Sequence, residues 1–88
     1  MATSNTYIEK LTWDRQANAA YLAMRGERSE PRRAARTLVA RAEDGAVVAA
    51  LDFGADGTLL GVELLDADTQ LTAEMKSAAT DITGATAE

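Results

Sequence analysis

Residues 46–65, AVVAALDFGADGTLLGVELL, constrain the fold more than any other part of the chain. Large apolar residues alternate on two arms around Asp56-Gly57, and Asp-Gly between alternating runs is a strong β-hairpin signal. With a two-residue turn, Phe53 faces Leu60, Leu51 faces Val62 and Ala49 faces Leu64. One face then gathers Val47, Ala49, Leu51, Phe53, Leu60, Val62 and Leu64. A four-residue loop over residues 54–57 keeps the same parity. An unbulged three-residue loop would set Phe53 beside Leu59 and Ala49 beside Glu63, splitting that face. A one-residue slip moves every side chain across the sheet, so the apolar pattern itself selects the register. The opposite face is mixed: Val48, Ala50, Asp52, Leu59, Gly61, Glu63 and Leu65.

Shorter signals organise the rest. Residues 7–13 alternate as Tyr7, Glu9, Leu11, Trp13 against Ile8, Lys10, Thr12 and read as a first strand. Asp14-Arg15-Gln16-Ala17-Asn18 reads as a turn, because Asp and Asn bond their own backbone and Asn tolerates left-handed geometry. Residues 19–25 read as a second strand and 34–41 as a third, with the polar loop GERSEPRR between them. Asp44-Gly45 forms a second Asp-Gly turn. After Asp66 the period changes: Leu71, Met75, Ala78/Ala79 and Ile82 recur at helical spacing, with Asp68 or Thr69 to cap the start and Gly84 beyond the end. The expected fold is α+β, an antiparallel β-meander of about five strands with a C-terminal α-helix. It is a single domain: a loose N-terminus at 1–6, strands within 7–66, a helix over 68–83 and a tail at 84–88. Interior candidates are Leu11, Trp13, Leu22, Leu38, Leu51, Phe53, Leu60, Val62 and Leu64.

At 88 residues, a chain buries only about 60–65% of its unfolded surface. Aromatic residues are few and alanine is abundant, so the core is thin and a second layer from a partner or a second copy is expected. With no cysteine and no histidine, disulfides, cysteine-based zinc or iron–sulfur sites, cysteine nucleophiles and Ser-His-Asp catalysis are excluded. No signal peptide and no membrane-spanning run is evident, so the expected setting is cytoplasmic.

Charge is unevenly placed. The net value is −5, yet residues 25–41 carry six arginines against Glu27 and Glu30, while residues 42–88 carry ten acids against Lys76. A basic centre and an acidic C-terminal half can steer a partner, or pair one molecule with its neighbour.

The motifs Trp13-Asp14, Tyr21-Leu22, Arg36-Thr37, Leu51-Asp52, Asp56-Gly57 and Gly61-Val62-Glu63-Leu64-Leu65-Asp66, in this order, resemble the bacterial domain of unknown function 2283 family over roughly residues 7–68. Departures are Arg15-Gln16 where the family often has Pro-Glu, Asn18 where Asp is common, and Ala20 where Leu is usual. The first turn is less acidic than typical, which weakens a metal site there. The resemblance implies a β-rich fold with little assigned activity. It also implies an antitoxin or partner role, from neighbouring small toxin-like proteins.

Few residues could carry chemistry. Asp52 and Glu63 form an acidic pair, with Glu63 opposite Ala50 and diagonal to Asp52. They could hold a hard cation or act as acid and base, or be neutralised by Arg36 or Arg41. Asp66, Asp68 and Thr69 suit capping better than a metal. Arg25, Arg28, Arg32, Arg33 and Arg36 are candidates for a partner or an anion; Glu27 and Glu30 interrupt them and aromatic interleaving is absent, which disfavours nucleic acid. No catalytic residue, metal site or cofactor is expected. The expected function is a small non-enzymatic interaction or self-associating module, a homodimer or the partner of a small protein. Antitoxin-like pairing, and anion or nucleic-acid binding through residues 25–41, are the alternatives.

Overall fold

The computed structural model describes residues 7–25 and 34–84. It contains β1 (Ile8–Asp14), β2 (Ala19–Met24), β3 (Arg36–Arg41), β4 (Val47–Phe53), β5 (Leu59–Leu64), α1 (Ala67–Gln70), α2 (Ala73–Ala78) and β6 (Thr80–Asp81). The strands form one six-stranded sheet in the order β3-β4-β5-β2-β1-β6. The α+β class holds, and β3-β4-β5 is an antiparallel meander. Within the sheet the strands are not all paired in chain order: β2 pairs with β5, and β3 forms the far edge. The expected loose residues 1–6 lie outside the described residues, as does the tail beyond Gly84.

Both Asp-Gly sequences close three-residue loops by the same device. Gly57 N–H donates to Gly54 O (2.9 Å) and Gly54 N–H to Thr58 O (2.8 Å); Gly45 and Ala42 repeat the pattern with Ala42 and Ala46. Gly45 and Gly57 sit at φ +90° and +88°, which a side chain would strain. The preceding aspartates accept from the backbone two residues on, Asp44 from Ala46 N–H and Asp56 from Thr58 N–H. The strand after each loop then carries one extra residue, Val48 in β4 and Leu60 in β5. The bulge restores the parity that a three-residue loop would lose. Leu51 therefore faces Val62 and Ala49 faces Leu64 as the sequence predicts, while Phe53 faces Leu59 rather than Leu60.

The register lines up rows across the sheet. Leu11, Leu22, Val62, Leu51 and Leu38 are successive partners from β1 to β3 on one face. Beside them on that face run Trp13, Ala20, Leu64, Ala49 and Ala40. Ala67 and Leu71 pack on Ala20 to make the buried cluster, joined by Leu11, Trp13, Leu64 and Met75. The helices thus cover one corner of the apolar face. The expected interior residues are not fully buried: the buried apolar side chains are Ala20, Ala50, Ala67 and Leu71, and Leu38 is 53% exposed. Among the described residues, the large sheet residues packed against the helical cluster are Leu11, Trp13 and Leu64.

A continuous helix over 68–83 does not form. Leu71 and Thr72 are extended, with ψ of 132° and 167°, and α2 restarts with Thr72 as its cap, its hydroxyl accepting from Met75 N–H. The caps are Asp66 and Thr72, not Asp68 or Thr69. Ala79 is extended again, and Thr80–Asp81 add to the outer edge of β1 as a short parallel strand. Leu71, Met75 and Ile82 keep their spacing on a broken path: Leu71 enters the core, Met75 packs against it, and Ile82 N–H donates to Trp13 O.

Leu71, 4% exposed, is the largest side chain in the buried cluster. Leu71→Ala should lower the unfolding free energy by about 2–4 kcal/mol in a urea titration, because it leaves a cavity the thin core cannot fill. Leu65→Ala, at a 37% exposed position, should cost about 1 kcal/mol or less.

Candidate functional site

On the other face of the sheet, one row runs Lys10, Ala23, Gly61, Asp52 and Thr37, and the next runs Thr12, Tyr21, Glu63, Ala50 and Val39. Tyr21 leans diagonally from β2 across β5. Its phenol donates to Asp52 Oδ2 on β4 at 3.0 Å, and Thr37 of β3 donates to Asp52 Oδ1 at 2.7 Å. Four strands are stitched by three side chains. Gly61 makes this possible: a Cβ at that position would overlap Tyr21 Oη and Cζ. Glycine inside a strand weakens it, and here the missing side chain is the space the tyrosine ring occupies. Tyr21, Ala23, Ala34, Asp52 and Leu60 line a shallow cavity of about 200 Å³ beside this link.

The register sets Glu63 opposite Ala50 and Asp52 opposite Gly61, so the two acids are diagonal neighbours. The partners of Asp52 are Tyr21 and Thr37, not Arg36 or Arg41; Arg41 Nη1 donates instead to Gly45 O at 2.9 Å. Tyr21 and Thr37 were not singled out as site residues in the sequence. Their signal was Gly61 in the middle of a strand, an invitation to ask what approaches it.

A second polar cluster holds the sheet to α1. Asn18, at φ +55°, presents both ends of its amide. Its Nδ2 donates to Asp66 Oδ1 at 3.0 Å, its Oδ1 accepts from Asp68 N–H at 2.8 Å, and its backbone carbonyl accepts from Ala67 N–H at 3.1 Å. Gln70 completes the junction, accepting from Asp66 N–H and donating to Val48 O. Asp68 pairs with Lys76 at 3.1 Å. Asp66 and Asp68 thus serve the strand-to-helix turn. Among the described residues, no three acidic side chains come together as a metal site.

β6 is tied down at its far end. Arg15 Nη2 meets Asp81 Oδ2 at 2.9 Å, Arg15 N–H donates to the Thr83 hydroxyl, and Thr83 N–H donates to Asp81 Oδ1. Hydrogen bonds from Thr83, with the nearby Arg15 charge, hold the Asp81 carboxyl below the ordinary value of 3.8. The guanidinium of Arg15 and the ammonium of Lys76 lie 5.9 and 5.6 Å from the centre of the Trp13 ring.

The arginine candidates are not gathered by the described structure. Arg25 follows β2 and Arg36 opens β3, both exposed at the same end of the sheet, with β5 and β4 between their strands. Arg28, Arg32 and Arg33 lie outside the described residues. No helix among the described residues is long and apolar enough to cross a membrane.

Compared with known families, residues 10–67, about two thirds of the chain, match the family described as protein of unknown function, DUF2283. The chain belongs to the DUF2283 family. No curated protein and no solved structure matches it. In this DUF2283 chain the motif residues fall on two tasks: Tyr21, Thr37, Asp52 and Gly61 form the cross-strand link, and Trp13, Leu51, Val62 and Leu64 line the apolar face.

If Gly61 is small to admit Tyr21, the two positions are coupled. Gly61→Ala should cost about 2–3 kcal/mol of folding stability, and the loss should shrink to about zero in a Tyr21→Ala background, measured as a double-mutant cycle. Asp81 gives a pH signature. Its folded pKa is depressed, so its stabilisation is present above the unfolded value and is lost as pH falls through the lower folded value. Asp81→Asn should flatten the acid limb of the melting-temperature profile below about pH 4 and leave the neutral plateau unsloped.

Proposed function

We propose that this chain is a non-enzymatic interaction module that binds protein through the apolar face of its sheet. The observation that carries this reading is the aliphatic row Leu22, Val62, Leu51, Leu38, which lies outside the cluster that α1 and α2 bury and ends in the exposed Leu38. An apolar surface crossing several strands is a recognition surface when nothing in the fold covers it. The non-catalytic part of the reading is supported by Asp52. Both of its carboxylate oxygens are engaged, one by Thr37 of the adjacent β3 and one by Tyr21 reaching across β5 from β2, in a link that fixes strand positions. An antitoxin-like role is one case of this reading, decided by what the partner is.

The tagged chain, recovered from its own host after nuclease treatment, should carry a stoichiometric protein, either a different chain or untagged copies of itself. Leu51→Arg, checked for folding by circular dichroism, should lose it. Recovery of the wild-type chain alone, or retention of the partner by Leu51→Arg, would contradict the reading.

A further inference from the structure

We infer that residues 72–83 form a strap that lifts from the sheet as one unit, turning about Thr72, while the rest of the chain stays folded. Closed, the strap lies over Trp13 and along the outer edge of β1; open, it bares both. The inference stands apart from the interaction reading above and holds whatever the aliphatic row binds.

The chain is anchored firmly just before the strap and lightly after it. Leu71 is 4% exposed in the buried cluster, and its N–H donates to Ala67 O at 2.8 Å. Leu71 and Thr72 are then extended, so the helical path is cut between anchor and strap. The hydrogen bonds that shape α2 stay within the strap. Thr72 Oγ1 accepts from Met75 N–H, Thr72 O from Lys76 N–H, and Met75 O from Ala79 N–H. α2 can therefore keep its own bonds when it leaves the sheet. It has no buried residue, and Met75 is its one side chain packed against the cluster.

The fastenings gather on one short stretch of chain and face solvent. Thr80 and Asp81 pair with Thr12 and Trp13, and Ile82 N–H donates to Trp13 O at 2.9 Å. Arg15 N–H donates to the Thr83 hydroxyl at 2.7 Å. Arg15 Nη2 meets Asp81 Oδ2 at 2.9 Å, with side chains 61% and 47% exposed. Lys76 reaches Asp68 of α1 through a second exposed pair. Ion pairs of this kind hold weakly and are screened by salt. An element with few buried apolar contacts and solvent-facing hydrogen bonds opens well below global unfolding.

The closed corner also carries a cost. Trp13 Nε1 is buried with no hydrogen-bond partner. An unmet buried donor disfavours the state that buries it, and water reaches the indole once α2 lifts. Opening bares the only tryptophan of the chain and the backbone of β1 at Thr12 and Trp13, at the end of the sheet opposite β3. The strap thus switches this corner between covered and accessible.

Native-state hydrogen exchange at neutral pH tests this. The Ile82 amide reports the strap; the Leu71 and Leu65 amides, which donate to Ala67 O and Val48 O, report the remainder. Ile82 should be about tenfold or more less protected than Leu71. Arg15→Ala removes the ion pair and one of the two cations on the Trp13 ring. It should speed Ile82 exchange by about three- to thirtyfold and leave Leu71 and Leu65 at their wild-type rates. Asp81→Asn, a milder change, should move Ile82 in the same direction. Acrylamide quenching of Trp13 fluorescence should rise in both variants with an unchanged circular dichroism spectrum. Equal protection of Ile82 and Leu71, or acceleration of all three amides by one factor, overturns the inference, because the strap would then leave only when the sheet unfolds. An Ile82 rate unmoved by both variants also overturns it. So does a faster Ile82 with unchanged Trp13 quenching, since β6 would fray while α2 stays down.

Discussion

A sheet must bury one face to be stable, and the two helices of this chain are too short to do it. α1 has four residues and α2 has six, about 6 and 9 Å of helix at 1.5 Å per residue. The five long strands span about 19 Å. The helices close over Ala20 and, among the described residues, leave Leu22, Val62, Leu51 and Leu38 outside the cluster they bury. Everything else in the fold follows from that shortage. Among the described residues three of the four buried apolar positions are alanine, the fourth being Leu71, and most large apolar residues of the strands are partly exposed.

Those links share one logic, in which a side chain reaches over a place where the chain makes room. Tyr21 crosses Gly61 to reach Asp52. Asn18 takes a left-handed conformation and so turns its amide toward the start of α1. Arg15 reaches Asp81 and holds the short β6 on the edge of β1. Each is a local solution to joining strands without hydrophobic mass. Together they keep the sheet in register while its apolar face stays open. The register matters for function because a slip of one residue would turn the aliphatic row to the other side.

Much of this was legible in the chain. The two Asp-Gly turns, the parity of Ala49, Leu51, Val62 and Leu64, and the left-handed Asn18 follow from local backbone chemistry. The bulges at Val48 and Leu60 were not legible, because a two-residue turn and a bulged three-residue loop leave the same apolar pattern. The broken helix was missed for a similar reason. Leu71, Met75 and Ile82 have helical spacing, and Thr72 can end one turn and cap the next. The pairing of β2 with β5 and the Tyr21–Asp52–Thr37 link depend on strand order, which composition and spacing do not carry. The acidic pair of Asp52 and Glu63 was placed correctly on one face; of the hydroxyl partners of Asp52, Thr37 lies on the strand the meander sets beside it, while Tyr21 reaches over from β2, which the sequence pattern did not bring near.

The account stands on the aliphatic row being an open surface of the chain by itself, and a soluble paramagnetic probe tests this directly. Methyl relaxation would be measured by NMR on the dilute, purified chain. The methyls of Leu38 should relax at least as strongly as those of Leu65, while those of Leu71 stay shielded. Methyls of Leu38 as well shielded as those of Leu71 would show the face covered within the chain and contradict the account.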